Sequence, residues 1–215
     1  MRRRRRQGRS AIESSDTRYS RAVSRFHSLA LVLAVVTGCS AAAGESADSS
    51  PPSALLPLAD GNRWVLRDVE RGSTAAISVA RMGSGFVLRG LPGAGELRVR
   101  AAGQSVEAWD PVGARWEPFL RLGAPAGTRY KVALAGAPLW SSVTVTVESR
   151  SVVVHDARGK TLRNCVRFKF AARKRMPDAG LEELVFAPGV GFVRTVEQTI
   201  AGPRVRLLSA LRVRP

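Results

Sequence analysis

From Leu55 onward the chain is a succession of short apolar runs broken by Gly, Pro and Asp, with no long stretch of helical period between them. The pattern predicts strands over 63–69, 75–81, 85–89, 96–101, 105–109 and 116–122. A second series follows over 129–134, 141–148, 151–155, 162–171, 181–186, 192–198 and 204–213. Turn residues separate them, as in Glu70-Arg71-Gly72-Ser73, Ala157-Arg158-Gly159-Lys160 and Pro177-Asp178-Ala179-Gly180. Alternation is clearest in Val143 to Val147, where valines interleave with Thr144 and Thr146. From Cys165 to Phe170, Val166, Phe168 and Phe170 share one face, and Cys165, Arg167 and Lys169 share a wetter one. Many short strands at roughly 8–12-residue spacing predict an all-β protein: an antiparallel meander forming a curved sheet or half-open barrel, with no helix in the folded part. Gly61-Asn62-Arg63-Trp64 is echoed by Gly127-Thr128-Arg129-Tyr130, each opening a strand. Two similar half-sheets, or merely shared turn chemistry, would produce the echo.

The first 38 residues follow another plan. A basic stretch with Arg2 to Arg6 precedes the apolar run Leu29 to Val36, and small residues follow. As a helix this run would span about 15 Å, too short for a hydrocarbon core of about 30 Å. Val36-Thr37-Gly38-Cys39 resembles the lipobox of bacterial lipoproteins, which implies cleavage before Cys39 and a diacylglyceryl thioether on its sulfur. The expected organisation is a signal peptide over 1–38, a polar tether over 39–54, rich in Ser, Ala, Gly and Pro, and a β-sheet domain over 55–215. The long stretch before the apolar run fits translation from Met1 or from Val23.

Charge changes the picture once it is divided. The chain carries a net +17, of which residues 1–38 supply nine basic and two acidic side chains. Residues 39–148 are nearly balanced, and 150–215 hold fourteen basic against five acidic. The densest cluster is Lys169, Arg173, Lys174 and Arg175. In an exported protein it is a candidate contact for anionic lipid, envelope polysaccharide or an acidic envelope protein; a solvated loop is the plainer reading. No nucleic-acid partner is expected, since the arginine run is removed with the signal peptide.

Candidate chemistry is sparse, and neither cofactor, metal nor catalytic residue is assigned. With Cys39 acylated, Cys165 is a free thiol: an inert core residue, or one with lowered pKa beside Arg167 and Lys169. His155 is the one histidine after the signal peptide. Glu107, Asp110 and Glu117, near Trp109, Trp116 and Phe119, are the carboxylates from which an acid and base pair, or a sugar-binding surface, could be built. Gly189-Val190-Gly191 lacks the third glycine and following helix of a nucleotide loop and reads as a turn.

Pro57-Leu58 with Gly61-Asn62-Arg63-Trp64, Asn164-Cys165-Val166, and Ala187-Pro188-Gly189-Val190-Gly191-Phe192-Val193 together resemble a group of bacterial exported proteins and lipoproteins without an assigned activity. The resemblance implies a β-rich envelope protein. The expected function is a membrane-anchored envelope lipoprotein with a non-enzymatic binding or accessory role, held through lipid on Cys39, with the outer membrane favoured because Ser40 is not aspartate. The alternative is a carboxylate-dependent hydrolase of envelope polymer.

Overall fold

The computed structural model describes residues 52–135, 137, 140–172 and 179–214. One helical turn, α1 (Pro52–Leu55), precedes twelve strands. The first six are β1 (Arg63–Asp68), β2 (Thr74–Met82), β3 (Gly85–Leu91), β4 (Gly95–Ala102), β5 (Ser105–Asp110) and β6 (Arg115–Leu120). The second six are β7 (Arg129–Val132), β8 (Val143–His155), β9 (Thr161–Ala172), β10 (Ala179–Ala187), β11 (Gly191–Thr199) and β12 (Gly202–Arg212). All pair antiparallel in the order β6-β5-β4-β3-β2-β1-β12-β11-β10-β9-β8-β7. Every neighbour but β1–β12 is consecutive in sequence, so two six-stranded meanders are joined edge to edge through their first and last strands. The result is an all-β, nearly closed, barrel-like sheet.

The echoed tetrapeptides open the two meanders in the same way. Gly61 N donates to Val79 O (3.0 Å) and Val79 N to Asn62 O (2.8 Å); Gly127 N donates to Val147 O (2.7 Å) and Val147 N to Thr128 O (2.9 Å). Both glycines have positive φ, 80° and 85°. The aromatic that follows is buried in each half, Trp64 and Tyr130.

Where β6 and β7 meet there is no ladder, and side chains close the seam instead. The Tyr130 hydroxyl accepts from Arg121 N (3.0 Å) and donates to Phe119 O (3.2 Å). Arg150 Nη1 donates to Leu122 O (2.7 Å) and Ala124 O (2.9 Å). Backbone groups that a paired edge would have satisfied are thus met by a phenol and a guanidinium.

Alternation builds the core. Trp64 and Leu66, Ile77 and Val79, Leu97 and Val99, and Val145 and Val147 face inward from their strands. Edge-on aromatics link the walls: Trp64 to Phe192 at 5.2 Å, Phe168 to Phe186 at 5.7 Å, and Trp140 to both Phe119 (5.0 Å) and Phe170 (5.3 Å). Such pairs contribute about 0.5–1.5 kcal/mol each beyond their buried area.

The sequence reading needs three corrections. The strands expected over 141–148 and 151–155 are one strand, β8, because bulges between Val147 and Val154 carry the ladder through the polar residues Glu148 to Ser151. A helical turn, α1, stands where none was expected; Pro52 suits a first helical position, and Leu55 and Leu56 beyond it are buried. Third, Cys165 is not on a wet face. It is fully buried, as is Val166, while Arg163 and Asn164 are exposed. Asn164 adopts φ +54°, the ladder skips from Val152↔Cys165 to Val154↔Leu162, and the β8–β9 hairpin folds back until Ala157 N reaches Leu208 O on β12 (2.8 Å). Strict two-sided alternation fails at that bulge.

Candidate functional surface

Of the candidate anionic contacts, Lys169 is described and is already engaged. Register sets it opposite Glu183 on β10, and its Nζ lies 2.9 Å from the Glu183 carboxylate. Arg194 (3.0 Å) and Arg167 (3.6 Å) crowd the same carboxylate, and Arg167 also reaches Glu148 (3.0 Å). Glu183 is 3% exposed, so three cations shield one buried charge. Arg173, Lys174 and Arg175, and Cys39 likewise, lie outside the described residues.

The three carboxylates do not converge. Glu107 pairs across the ladder with Pro118, whereas Glu117 pairs with the fully buried Ala108, so the two acids leave the sheet on opposite faces. Glu107 is bound by Arg100 (2.7 Å) and Glu117 by Arg115 (2.5 Å). Asp110 shares the face of Glu117, yet its oxygens accept from Val112 N (3.2 Å) and Gly113 N (3.1 Å) and hold the β5–β6 turn. Trp109 and Trp116 are cross-strand partners packed edge to face at 5.5 Å and half-buried. Arg98 lies over both rings and Arg100 over Trp116 (4.5 Å), so guanidinium groups occupy the faces a sugar would need. Phe119 is core.

Burial pushes the Cys165 thiol up to about 11, the opposite of activation. With Cys39 replaced by serine, the native protein should react with an aromatic disulfide reagent at neutral pH at least about a hundredfold more slowly than the unfolded chain. Rapid native labelling would show the thiol to be accessible. His155 is exposed, its Nδ1 3.2 Å from Thr161 Oγ1. No group of three His, Cys, Asp or Glu side chains is placed to hold a metal ion among the described residues.

Asp68, 3% exposed, ends β1 and accepts from Arg71 N (2.9 Å) and Glu70 N (3.0 Å), with Arg204 at 3.4 Å. The amide of Arg71 foremost, then that of Glu70 and the charges of Arg204 and Arg206, hold its carboxyl below the usual value against the opposing effect of burial. A lowered folded-state pKa gives stability that is present above the unfolded value, near 3.9, and lost as pH falls through the folded one. Acid melts should therefore fall more steeply for the wild type than for Asp68→Asn between about pH 5 and pH 2. Parallel curves would remove Asp68 from the account.

Reading the sequence did not reveal a second basic group, which the fold assembles from distant positions. Arg63 and Arg212 are direct partners across the β1–β12 ladder, and both are exposed. The Arg214 guanidinium lies beside Gly61, and its backbone N donates to Asn62 Oδ1 (2.7 Å). Exposed Arg81, next to last in β2, has its N on Asp60 Oδ1 (2.9 Å). Among the described residues Arg63, Arg212 and Arg214 form no ion pair with an acid, which is true of several other cations as well, whereas Arg89, Arg100, Arg115, Arg167, Lys169, Arg194, Arg204 and Arg206 do; what sets this group apart is that Arg63 and Arg212 are direct cross-strand partners. The register of the first and last strands brings Arg63 and Arg212 together on the outer face with Arg214 two residues on, and a linear charge count cannot show it; Arg81, three residues past the Ser78 that pairs with Arg63, leaves β2 on the opposite face, over Phe86.

No protein-family model matches the chain, and no curated protein matches it. Among solved structures it is similar to a protein of Bacteroides fragilis described as exported and as having a YmcC-like fold, with 10% identity and a TM-score of 0.38 over 74% of this chain and 99% of that one. It is also similar to a protein of Parabacteroides distasonis described as a lipoprotein, with 13% identity and a TM-score of 0.37 over 74% of this chain and 98% of that one. At TM-scores below 0.5 this is a loose likeness, and the fold assignment stands on the strand ladder itself.

Proposed function

We propose that the protein is a lipid-anchored envelope lipoprotein whose barrel-like domain has a non-enzymatic binding or accessory role. The observation that carries the reading is Val36-Thr37-Gly38-Cys39 at the end of an apolar run too short to span a bilayer. A thioether-linked diacylglycerol, with about 0.8 kcal/mol for each buried methylene, makes attachment long-lived where a single chain would not. The outer membrane is favoured by Ser40 in the position after the cysteine. Dispersal of Glu107 and Glu117 to opposite faces, each on an arginine, supports binding over polymer hydrolysis.

Fractionation of cells producing Cys39→Ser tests the anchor. The wild type should partition with membranes and enter the detergent phase, and the variant should lose the cleaved, detergent-soluble form. A variant that is cleaved and partitions as the wild type does would overturn the assignment.

A further inference from the structure

We propose that the arginine cluster of Arg63, Arg212 and Arg214 is a docking surface for anionic phospholipid headgroups, holding this end of the barrel against the bilayer. The proposal deepens the lipoprotein reading and takes from it the position of the membrane.

The first argument is electrostatic. Like charges placed directly opposite across a ladder repel, and a sheet normally avoids them or supplies an acid alongside. Here Arg63 faces Arg212 and Arg214 follows two residues on, with no ion pair to any of the three among the described residues. Elsewhere the same molecule gathers as many as three cations around one carboxylate, at Glu183. A cluster of exposed guanidinium groups engaged in no ion pair is suited to phosphate oxygens, which they bind in a fork.

The second argument is position. The chain comes into the barrel at this cluster: Asn62 Nδ2 donates to Pro57 O (2.9 Å), while Asn62 Oδ1 accepts from Arg214 N. The turn before β11 is tied to the same segment, Gly189 N donating to Ala54 O (2.6 Å). Cys39 lies only thirteen residues before Pro52, a length of chain that reaches at most about 45 Å even when fully extended. An acyl chain on Cys39 would keep these arginines near the headgroups, where each contributes to attraction within roughly one Debye length.

The test uses the chain from Cys39 onward with Cys39→Ser, so that no acyl group contributes. The described core lies wholly within residues 55–208, so the chain from Cys39 onward contains all of it. Sedimentation with vesicles of phosphatidylcholine containing phosphatidylglycerol should show salt-sensitive binding that is absent with phosphatidylcholine alone. Arg63→Glu/Arg212→Glu/Arg214→Glu should weaken that binding at least tenfold while leaving the melting temperature within a few degrees. Arg63→Gln/Arg212→Gln/Arg214→Gln, which removes charge without adding acid, should weaken it less and confirms the surface if the triple glutamate variant is poorly folded.

Loss of binding on reversing Arg173, Lys174 and Arg175 instead, with the Arg63 set immaterial, would overturn the proposal. So would binding to envelope polysaccharide with none to anionic vesicles. Because the assay is blind to acylation, failure here leaves the Cys39 anchor standing, and failure of the anchor is read from the mass of the native protein.

Discussion

Gly191→Ala should destabilise the domain by about 2–5 kcal/mol, the sum of a left-handed backbone penalty of about 1–2 and an overpacking cost of about 1–3. Gly191 has φ +93°, and a methyl group built there would lie 2.6–2.7 Å from Nε1, Cε2 and Cζ2 of the Trp64 indole. The indole cannot retreat. It is fully buried, packs edge-on against Phe192, and its Nε1 donates to Val190 O at 2.5 Å. The clash and the backbone strain can be separated with Trp64→Leu. This change alone costs a cavity and a hydrogen bond, but with Gly191→Ala the overlap disappears, so the double variant should be more stable than the sum of the two single effects. Urea midpoints of the four proteins measure this directly, and strict additivity would mean that the two residues do not meet as described.

The second large effect is expected at the seam. Tyr130→Ala should cost about 3–5 kcal/mol, as removal of a buried ring does. Tyr130→Phe isolates the hydrogen bonds and should cost about 1–2 kcal/mol, because it orphans Phe119 O and Arg121 N at the one junction without a ladder. Burial, the dominant influence, pushes the phenol up to about 12, so it stays protonated and able to donate at neutral pH. Amide exchange at Arg121 should quicken in Tyr130→Phe. If stability and exchange are both unchanged, the seam is held by something other than Tyr130.

Much of the barrel was legible because its strands obey a period of two and its turns carry Gly, Pro, Asn and Asp. The repeated opening at Gly61 and Gly127 was visible too, and it marks the first strand of each meander. The chemistry of the turns also explains why Gly61-Asn62-Arg63-Trp64 and Ala187 to Val193, far apart in sequence, belong together: Trp64 sits on Val190, Gly191 and Phe192. What could not be read depends on partners supplied by the fold. The β8 strand continues through Glu148 to Ser151 because bulges absorb the polar residues, which local propensity does not foretell. Cys165 looked half-wet because alternation was extended one residue past an Asn in left-handed conformation. Lys169 looked like free charge until register placed it on Glu183. Conversely, Arg63 and Arg212 looked unremarkable 149 positions apart in sequence, and adjacency came only with the β1–β12 pairing.

Everything about location rests on the modification of one sulfur atom, and the mass of the native protein tests it most directly. Purified from membranes and measured intact, with its first peptide sequenced by fragmentation, the protein should begin at Cys39 and carry the added mass of a diacylglyceryl group on that residue. A native protein that retains residues before Cys39, or whose Cys39 bears an unmodified thiol, would contradict the account.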